Sequence, residues 1–499
     1  MEQFILLAYI FCLSILFIFG AHGFVMVYHY YKHRHENDSD LQLTDTPMVT
    51  VQLPIFNEMY VVRRLIDASC SIDYPKEKLE IQVLDDSTDE TVDLVESIVR
   101  EKQDQGYTIH HIRRANRKGF KAGALKEGLK TATGEFIAIF DADFIPRPEF
   151  FQKTIPYFYK NAKIGMVQTR WEHLNGEYSL MTRTQAMALD GHFVIEQNIR
   201  NKAGYFINFN ATGGVWRKSC IVDAGNWQSD TLTEDLDLSY RAQLKGWKFK
   251  FLRDVTSPAE LPAEINALKS QQFRWTKGAI ETARKLLPMV WKSKIPMRIK
   301  IHSTFHLTNN IVFPFIVLAS ILNVPLTFIK HGGGFDAYFD FMSVFVLAFI
   351  GSFMFYMYSQ KDIYSDWRRR IFLFPVFMAG SMGFAVNNSK AVLEGLFKRK
   401  SEFVRTPKYG IEGKKESWKD KKYVPVKFSW MVIVEIALAL YCFLGVVSSL
   451  YYLEIAAVPF QLLFTSGYGF VAYLSVQQAL EARRIKISQI NLTIEPLAA

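Results

Sequence analysis

Ile81-Gln82-Val83-Leu84-Asp85-Asp86-Ser87 and Phe136-Ile137-Ala138-Ile139-Phe140-Asp141-Ala142-Asp143 decide how this chain folds. Each is a short apolar run that ends in a pair of carboxylates. Runs of the same kind stand at Met48–Ile55, Tyr107–Ile112 and Ile164–Val167, mostly bounded by turn or charged residues. Between them Ile66–Cys70, Thr91–Arg100 and Ala122–Leu129 carry helical spacing. Strands alternating with helices predict an α/β domain whose mostly parallel sheet is covered by helices. In such sheets ligands bind beyond the carboxyl ends of the strands. The acidic residues stand at those ends.

One Asp at a strand end often only terminates the strand. Two carboxylate pairs after two apolar strands point further, because a pair such as Asp141-x-Asp143 can hold a hard divalent cation and leave positions for phosphate oxygens. Between the pairs, Arg117-Lys118-Gly119-Phe120-Lys121-Ala122-Gly123-Ala124 is a basic, Gly-punctuated turn that opens a helix. Its N–H groups and lysine can meet a diphosphate, although the GxxxxGK spacing of a Walker A loop is absent. Thr233-Glu234-Asp235-Leu236-Asp237 and Gln271-Gln272-Phe273-Arg274-Trp275 follow. Taken singly, the first reads as an N-cap for Leu236–Leu244 and the second as an amphipathic helix on a membrane surface. Their order along one chain argues for chemistry. His302 and His306 have a helical metal spacing but no acidic partner nearby, and read as solvated interfacial histidines.

The 499 residues are 49% hydrophobic and 15% aromatic, which excludes a disordered chain. The net charge of +10 gathers beside apolar segments, where anionic lipid explains it. No zinc-finger, RRM-like or helix-turn-helix pattern accompanies it, so no nucleic acid partner is expected. Cys12, Cys70, Cys220 and Cys442 form no CxxC pair. Phe4–Tyr31 contains no charged residue and can span a bilayer, and it lacks the basic start and cleavage site of a signal peptide. Lys32, His33 and Arg34 follow it, so the next domain is expected in the cytoplasm. Further uncharged runs occupy Thr304–Ile329, Phe341–Gln360, Ile371–Ser389, Ile436–Leu453 and Ile455–Leu480. If all crossed, Lys390–Lys427, with twelve basic and five acidic residues, would lie outside. Ile371–Ser389 is interrupted by Pro375, Gly380 and Gly383 and flanked by Arg368-Arg369-Arg370 and Lys390. It reads as an interfacial or re-entrant helix, which leaves five spans.

Gln52-Leu53-Pro54-Ile55-Phe56-Asn57-Glu58, Asp85-Asp86, Asp141-x-Asp143, Thr233-Glu234-Asp235 and Gln271-x-x-Arg274-Trp275, in this order, resemble membrane-embedded family 2 glycosyltransferases. Within that family the chain looks most like bacterial cellulose synthase catalytic subunits and plant cellulose synthase-like mannan and glucan synthases. Phe403-Val404-Arg405-Thr406-Pro407-Lys408 stands where those enzymes carry an F-x-V-T-x-K gating loop, with Arg405 in place of Val. The resemblance implies a cytoplasmic GT-A-like domain joined to a helical membrane region. The expected layout is a transmembrane helix at 1–31, a cytoplasmic glycosyltransferase domain at 32–260 and interfacial helices with the QxxRW motif at 261–303. Two spans at 304–360, an interfacial helix and gating-type loop at 361–427, two spans at 428–480 and a cytoplasmic tail at 481–499 complete it.

The implied chemistry is inverting transfer of a sugar from a nucleotide diphosphate to a growing β-linked polysaccharide, processive and coupled to translocation. By resemblance Pro54, Asn57, Glu58, Asp85, Asp86, Lys121, Asp141, Gln271 and Arg274 bind the nucleotide sugar. Asp141 and Asp143 hold Mg²⁺ or Mn²⁺, Asp235 is the general base, and Trp275, Thr212 and Glu234 meet the acceptor. Phe403, Thr406 and Lys408 form the gate. The donor is UDP-glucose or GDP-mannose, with a lean to UDP-glucose, and the expected location is a bacterial inner membrane. A single-addition transferase acting on a lipid acceptor, and a transporter whose acidic motifs are structural, are the competing readings. Product length separates the first competitor, and assay of nucleotide-sugar turnover separates the second.

Overall fold

A computed structural model describes residues 1–36, 41–399, 401, 404–419, 421–423 and 429–494. Seven strands build one sheet: β1 (Val49–Ile55), β2 (Leu79–Asp85), β3 (Thr108–Arg113), β4 (Phe136–Ile139), β5 (Ile164–His173), β6 (Gly214–Arg217) and β7 (Lys248–Ala259). Their spatial order is β3-β2-β1-β4-β6-β5-β7. Four of the six pairings are parallel; β6 runs antiparallel to both β4 and β5. Helices cover both faces, and the strands at the centre are buried on both sides. β4 is accordingly apolar throughout, whereas β1 and β2 alternate apolar residues with polar ones that are buried as well.

Polar residues inside β1 and β2 are matched across the register. Thr50 lies opposite Glu80 and Gln52 opposite Gln82. Thr50 Oγ1 donates to Glu80 Oε2 at 2.6 Å and Gln52 Nε2 to Gln82 Oε1 at 3.0 Å. These pairs satisfy groups that would be costly to bury alone. They also lock the two strands in register, which brings Pro54, Asp85 and Asp86 to the same edge.

Among the described residues five helices are long and apolar enough to cross a membrane: Glu2–His33, Met297–Gly332, Asp336–Ile363, Met431–Tyr451 and Ile455–Arg483. A sixth candidate is the pair Trp367–Gly383 and Ala385–Leu396, bent by 46°. The bend stands where Gly380 and Gly383 interrupt the sequence. A Cβ on Gly383 would lie 2.3 Å from the Gly467 carbonyl oxygen, so two backbones meet there, as small residues allow between membrane helices. The second span begins at Met297 rather than at Thr304. His302 and His306 are not solvated: His302 is 9% exposed and faces His22 at 3.3 Å, while His306 Nδ1 lies 2.8 Å from the Tyr240 hydroxyl. The approach of the first helix and of the Glu234–Leu244 helix closes a surface that the sequence left open.

Candidate active site

A cavity of about 530 Å³ opens at the carboxyl ends of β1, β2 and β4 and continues to the membrane helices. At the strand ends it is lined by Pro54, Phe56, Glu58, Asp86, Arg117, Lys121, Asp141 and Asp143. Gly119, in the left-handed conformation at φ 76°, caps the Phe120–Thr131 helix and lets the basic turn fold back on the strand ends. Lys121 Nζ from that turn pairs with Asp141 and donates to the Ala211 carbonyl at 2.8 Å. Arg117 lies 3.3 Å over the Phe56 ring. Lys408 Nζ donates to Asp143 Oδ2 at 2.6 Å. Each carboxylate of the Asp-x-Asp pair therefore already carries an ammonium group.

Three expected site residues lie elsewhere. Asp85 is 1% exposed and does not line the cavity. Its Oδ2 faces His111 Nε2 at 2.9 Å and its Oδ1 accepts from the Ser87 N–H at 2.8 Å. Burial would raise its pKa, but these hydrogen bonds outweigh burial and hold the carboxyl below its ordinary range. Asp85 thus shapes the strand end, and Asp86, gripped by Arg114, is the member of the pair that faces the cavity. Asn57, at φ 56°, closes a turn by accepting from the Thr88 N–H at 2.9 Å. Thr212 is fully buried and accepts the Asp141 N–H at 2.9 Å, so it positions Asp141 instead of touching an acceptor.

The same cavity is lined by Glu234 and Asp235, on the first turn of the Glu234–Leu244 helix, and by Gln271, Arg274 and Trp275 from the Ile265–Lys292 helix. The spacing of 271, 274 and 275 puts all three on one helical face. No side-chain cap bond joins Thr233 to the helix; its hydroxyl meets Thr282 at 3.0 Å. Asp235 Oδ1 accepts the Leu236 N–H at 2.8 Å, so this carboxylate also caps the first turn while it lines the cavity. Burial, then the neighbouring Glu234, pushes Asp235 up to about 7, and burial raises Glu234 as well. Arg274 is drawn down by burial against the pull of Glu234 and Asp141. Burial also pushes Glu58 up to about 8, against the opposing charge of Arg405 at 2.9 Å.

Phe403 lies outside the described residues. The segment after it is docked on the sheet domain. Thr406 and Lys408 line the cavity, and Arg405 donates to the Phe56 carbonyl at 2.8 Å. Glu260 accepts from the Tyr409 and Gly410 N–H groups at 3.0 and 2.9 Å. Sequence reasoning missed Glu260 and Arg117. The available signal for Glu260 was a lone acid between Ala259 and Leu261-Pro262, an apolar setting that calls for a partner.

The mixed seven-stranded sheet, with its cavity at the strand ends and flanking membrane helices, defines a GT-A-like transferase architecture. Residues 47–278 match the family described as glycosyltransferase like family 2, so the chain carries a family 2 glycosyltransferase domain. It is 45% identical over 280 residues to a probable glucomannan 4-beta-mannosyltransferase 4 of Oryza sativa subsp. japonica, covering 55% of this chain and 50% of the relative. It is 40% identical over 299 residues to glucomannan 4-beta-mannosyltransferase 9 of Arabidopsis thaliana, covering 58% and 55%. The chain spans about half the length of these relatives. A mannosyltransferase from Pyrobaculum calidifontis, solved in complex with GDP-Man and Mn²⁺, shares the fold with a TM-score of 0.54 at 18% identity, covering 78% of this chain and all of that one.

Proposed function

We propose that this protein is an inverting mannosyltransferase that moves mannose from GDP-mannose onto a growing β-linked polysaccharide. The observation that carries the reading is one cavity that gathers strand-end carboxylates and their lysines with Gln271, Arg274, Trp275 and a carboxyl, Asp235, raised to about 7. The plant relatives are named for mannosyl transfer, which supports GDP-mannose over the expected lean to UDP-glucose.

Asp141 and Asp143 offer hard oxygen donors at a point that already attracts two ammonium groups, which fits a divalent cation. Bound there, Mg²⁺ or Mn²⁺ would act as a Lewis acid for the charge that develops on the departing diphosphate. Lys121 and Arg274 add fixed positive charge around the same oxygens. Asp235 takes the proton from the acceptor hydroxyl as that oxygen attacks the anomeric carbon. Trp275 gives the acceptor ring an apolar platform. A single displacement of this kind inverts the anomeric carbon and needs no carboxylate nucleophile.

The same cavity is also lined by Phe313, Phe377 and Phe470 from the membrane helices. That continuity supports a processive enzyme whose product leaves between the helices, over a single addition to a lipid. The five apolar helices support a membrane location. Relatives from rice and Arabidopsis give the expected bacterial inner membrane no support, and it is not carried forward. The test is incubation of the purified full chain with GDP-mannose or UDP-glucose and Mg²⁺ or Mn²⁺, followed by product sizing and linkage analysis. A β-linked mannose ladder is expected. One added sugar on lipid would select the alternative, and no turnover of either donor would refute both.

A further inference from the structure

Beyond the motifs already described, the cavity is lined by His192, Glu196 and Asn210 from the sheet domain and by His306 and Phe313 from the second membrane helix. His192 and Glu196 lie on Gly191–Gln197, a π-helical stretch between the α-helices Leu180–Asp190 and Asn198–Lys202. π-turns concentrate at functional sites. Here the widened turn carries both side chains to the cavity wall. His192 Nε2 lies 2.9 Å from Asn210 Nδ2, and Asn210 Oδ1 accepts from Gln197 Nε2 at 2.6 Å. The Asn210 amide therefore donates to Nε2, which assigns the ring proton to Nδ1, 2.8 Å from Glu196 Oε2. Arg200 Nη1 stands 3.3 Å from the other Glu196 oxygen. Burial would raise Glu196, but His192 and Arg200 outweigh it and hold the carboxyl well below its usual range. The result is a fixed carboxylate with an oriented imidazole, next to an aromatic wall.

That combination suits a hexose: hydroxyl groups donate strongly to an ionised acceptor, and C–H faces pack on Phe313. It adjoins the strand-end carboxylates through Asn210, whose neighbour Ala211 accepts from the Lys121 that pairs with Asp141. We propose that His192 and Glu196 form an acceptor subsite that binds hydroxyls of a sugar unit already incorporated in the chain. This rests on the glycosyl-transfer reading above and adds residues that no motif of the sequence marked.

The test uses the full-length protein in lipid nanodiscs and β-1,4-linked mannotriose as the probe, read both by direct binding and as the acceptor KM with GDP-mannose as donor. Glu196→Gln keeps the shape and removes the charge; His192→Gln leaves Glu196 and Arg200 in place and decides the matter if the first variant does not fold. Each is expected to weaken mannotriose affinity about 10- to 100-fold, the worth of a hydrogen bond to a charged group. The donor KM should stay at the wild-type value, and free mannose should lose less than mannotriose. Wild-type mannotriose affinity in either folded variant, or a parallel rise in donor KM, overturns the subsite. A wild-type protein that turns over no GDP-mannose refutes the proposed function separately, and the binding measurement still judges the subsite.

Discussion

In the proposed mechanism Asp235 owes its role as base to its position. An ordinary aspartate is too weak a base to help deprotonate a sugar hydroxyl, whereas one raised to about 7 is matched to neutral pH. Because Asp235 must be ionised to accept the proton, transfer should rise with pH through about 7 and level off above it, the pair with Glu234 titrating together. Asp235→Asn should lower kcat by roughly 10²–10⁴-fold, the usual worth of a positioned base, with the donor KM little changed. A normal kcat with a raised donor KM would make Asp235 a binding residue. Asp143→Ala should abolish transfer in a folded protein, as should excess chelator; full activity in chelator removes the metal from the scheme. The residues themselves were unevenly readable. Asp86, Asp141 and Asp143 end runs whose apolarity marks a buried strand. Asp85 stands in the same motif as Asp86, yet its partner His111, like the Asp141 N–H that Thr212 accepts, comes from a chain segment that no local pattern connects.

At the scale of elements, β4 was legible as a continuous apolar run and β1 and β2 as Val, Ile and Leu at alternate positions. β6 is only four residues long, and β7 mixes Lys248, Lys250, Arg253 and Asp254 with its apolar positions, so neither carries a clean period. The Ile265–Lys292 helix bears Gln271, Arg274 and Trp275 and is tied to the membrane region by a buried ion pair. Lys269 Nζ lies 2.8 Å from Glu435 Oε2 and 2.9 Å from Ser475 Oγ. Removing one member leaves an uncompensated buried charge, so Lys269→Met should cost about 3–5 kcal/mol. Adding Glu435→Leu should restore most of it, since replacing a whole buried pair by apolar groups is often neutral. Thermal unfolding of single and double variants measures this; a double variant no more stable than Lys269→Met alone counts against the account. The docked segment after Phe403 makes a related case. Phe403→Ala keeps every charge, and should cut polymer synthesis severely if the segment closes over the donor and excludes water. A wild-type rate would return the segment to a charged linker.

The whole molecule supplies what charge parity alone had to guess. Contacts across 265 residues of sequence, such as Lys408 to Asp143, hold the segment after the bent helix pair against the sheet domain. Glu412 with Arg64, at 2.6 Å, and Lys422 with Glu90 extend that contact along the domain surface. The segment and the domain therefore share one side of the membrane. Counting from the domain, Met297–Gly332 leaves that side and Asp336–Ile363 returns to it, which puts Arg368–Arg370 on the domain's side. The chain is still on that side at Arg405, which supports the reading that Trp367–Gly383 and Ala385–Leu396 together make no net crossing. Their 46° bend and the close approach of Gly383 to Gly467 give the backbone a way to enter and turn back while packed on protein. Single-cysteine labelling tests this directly, because the four native cysteines are all buried and give little background. Lys414→Cys and Glu127→Cys should react with an impermeant maleimide from the same side of sealed vesicles, and Asp336→Cys from the opposite side. If position 414 labels together with 336 and not with 127, the bent pair crosses, six spans replace five, and the docked arrangement of Lys408 on Asp143 cannot exist in the membrane.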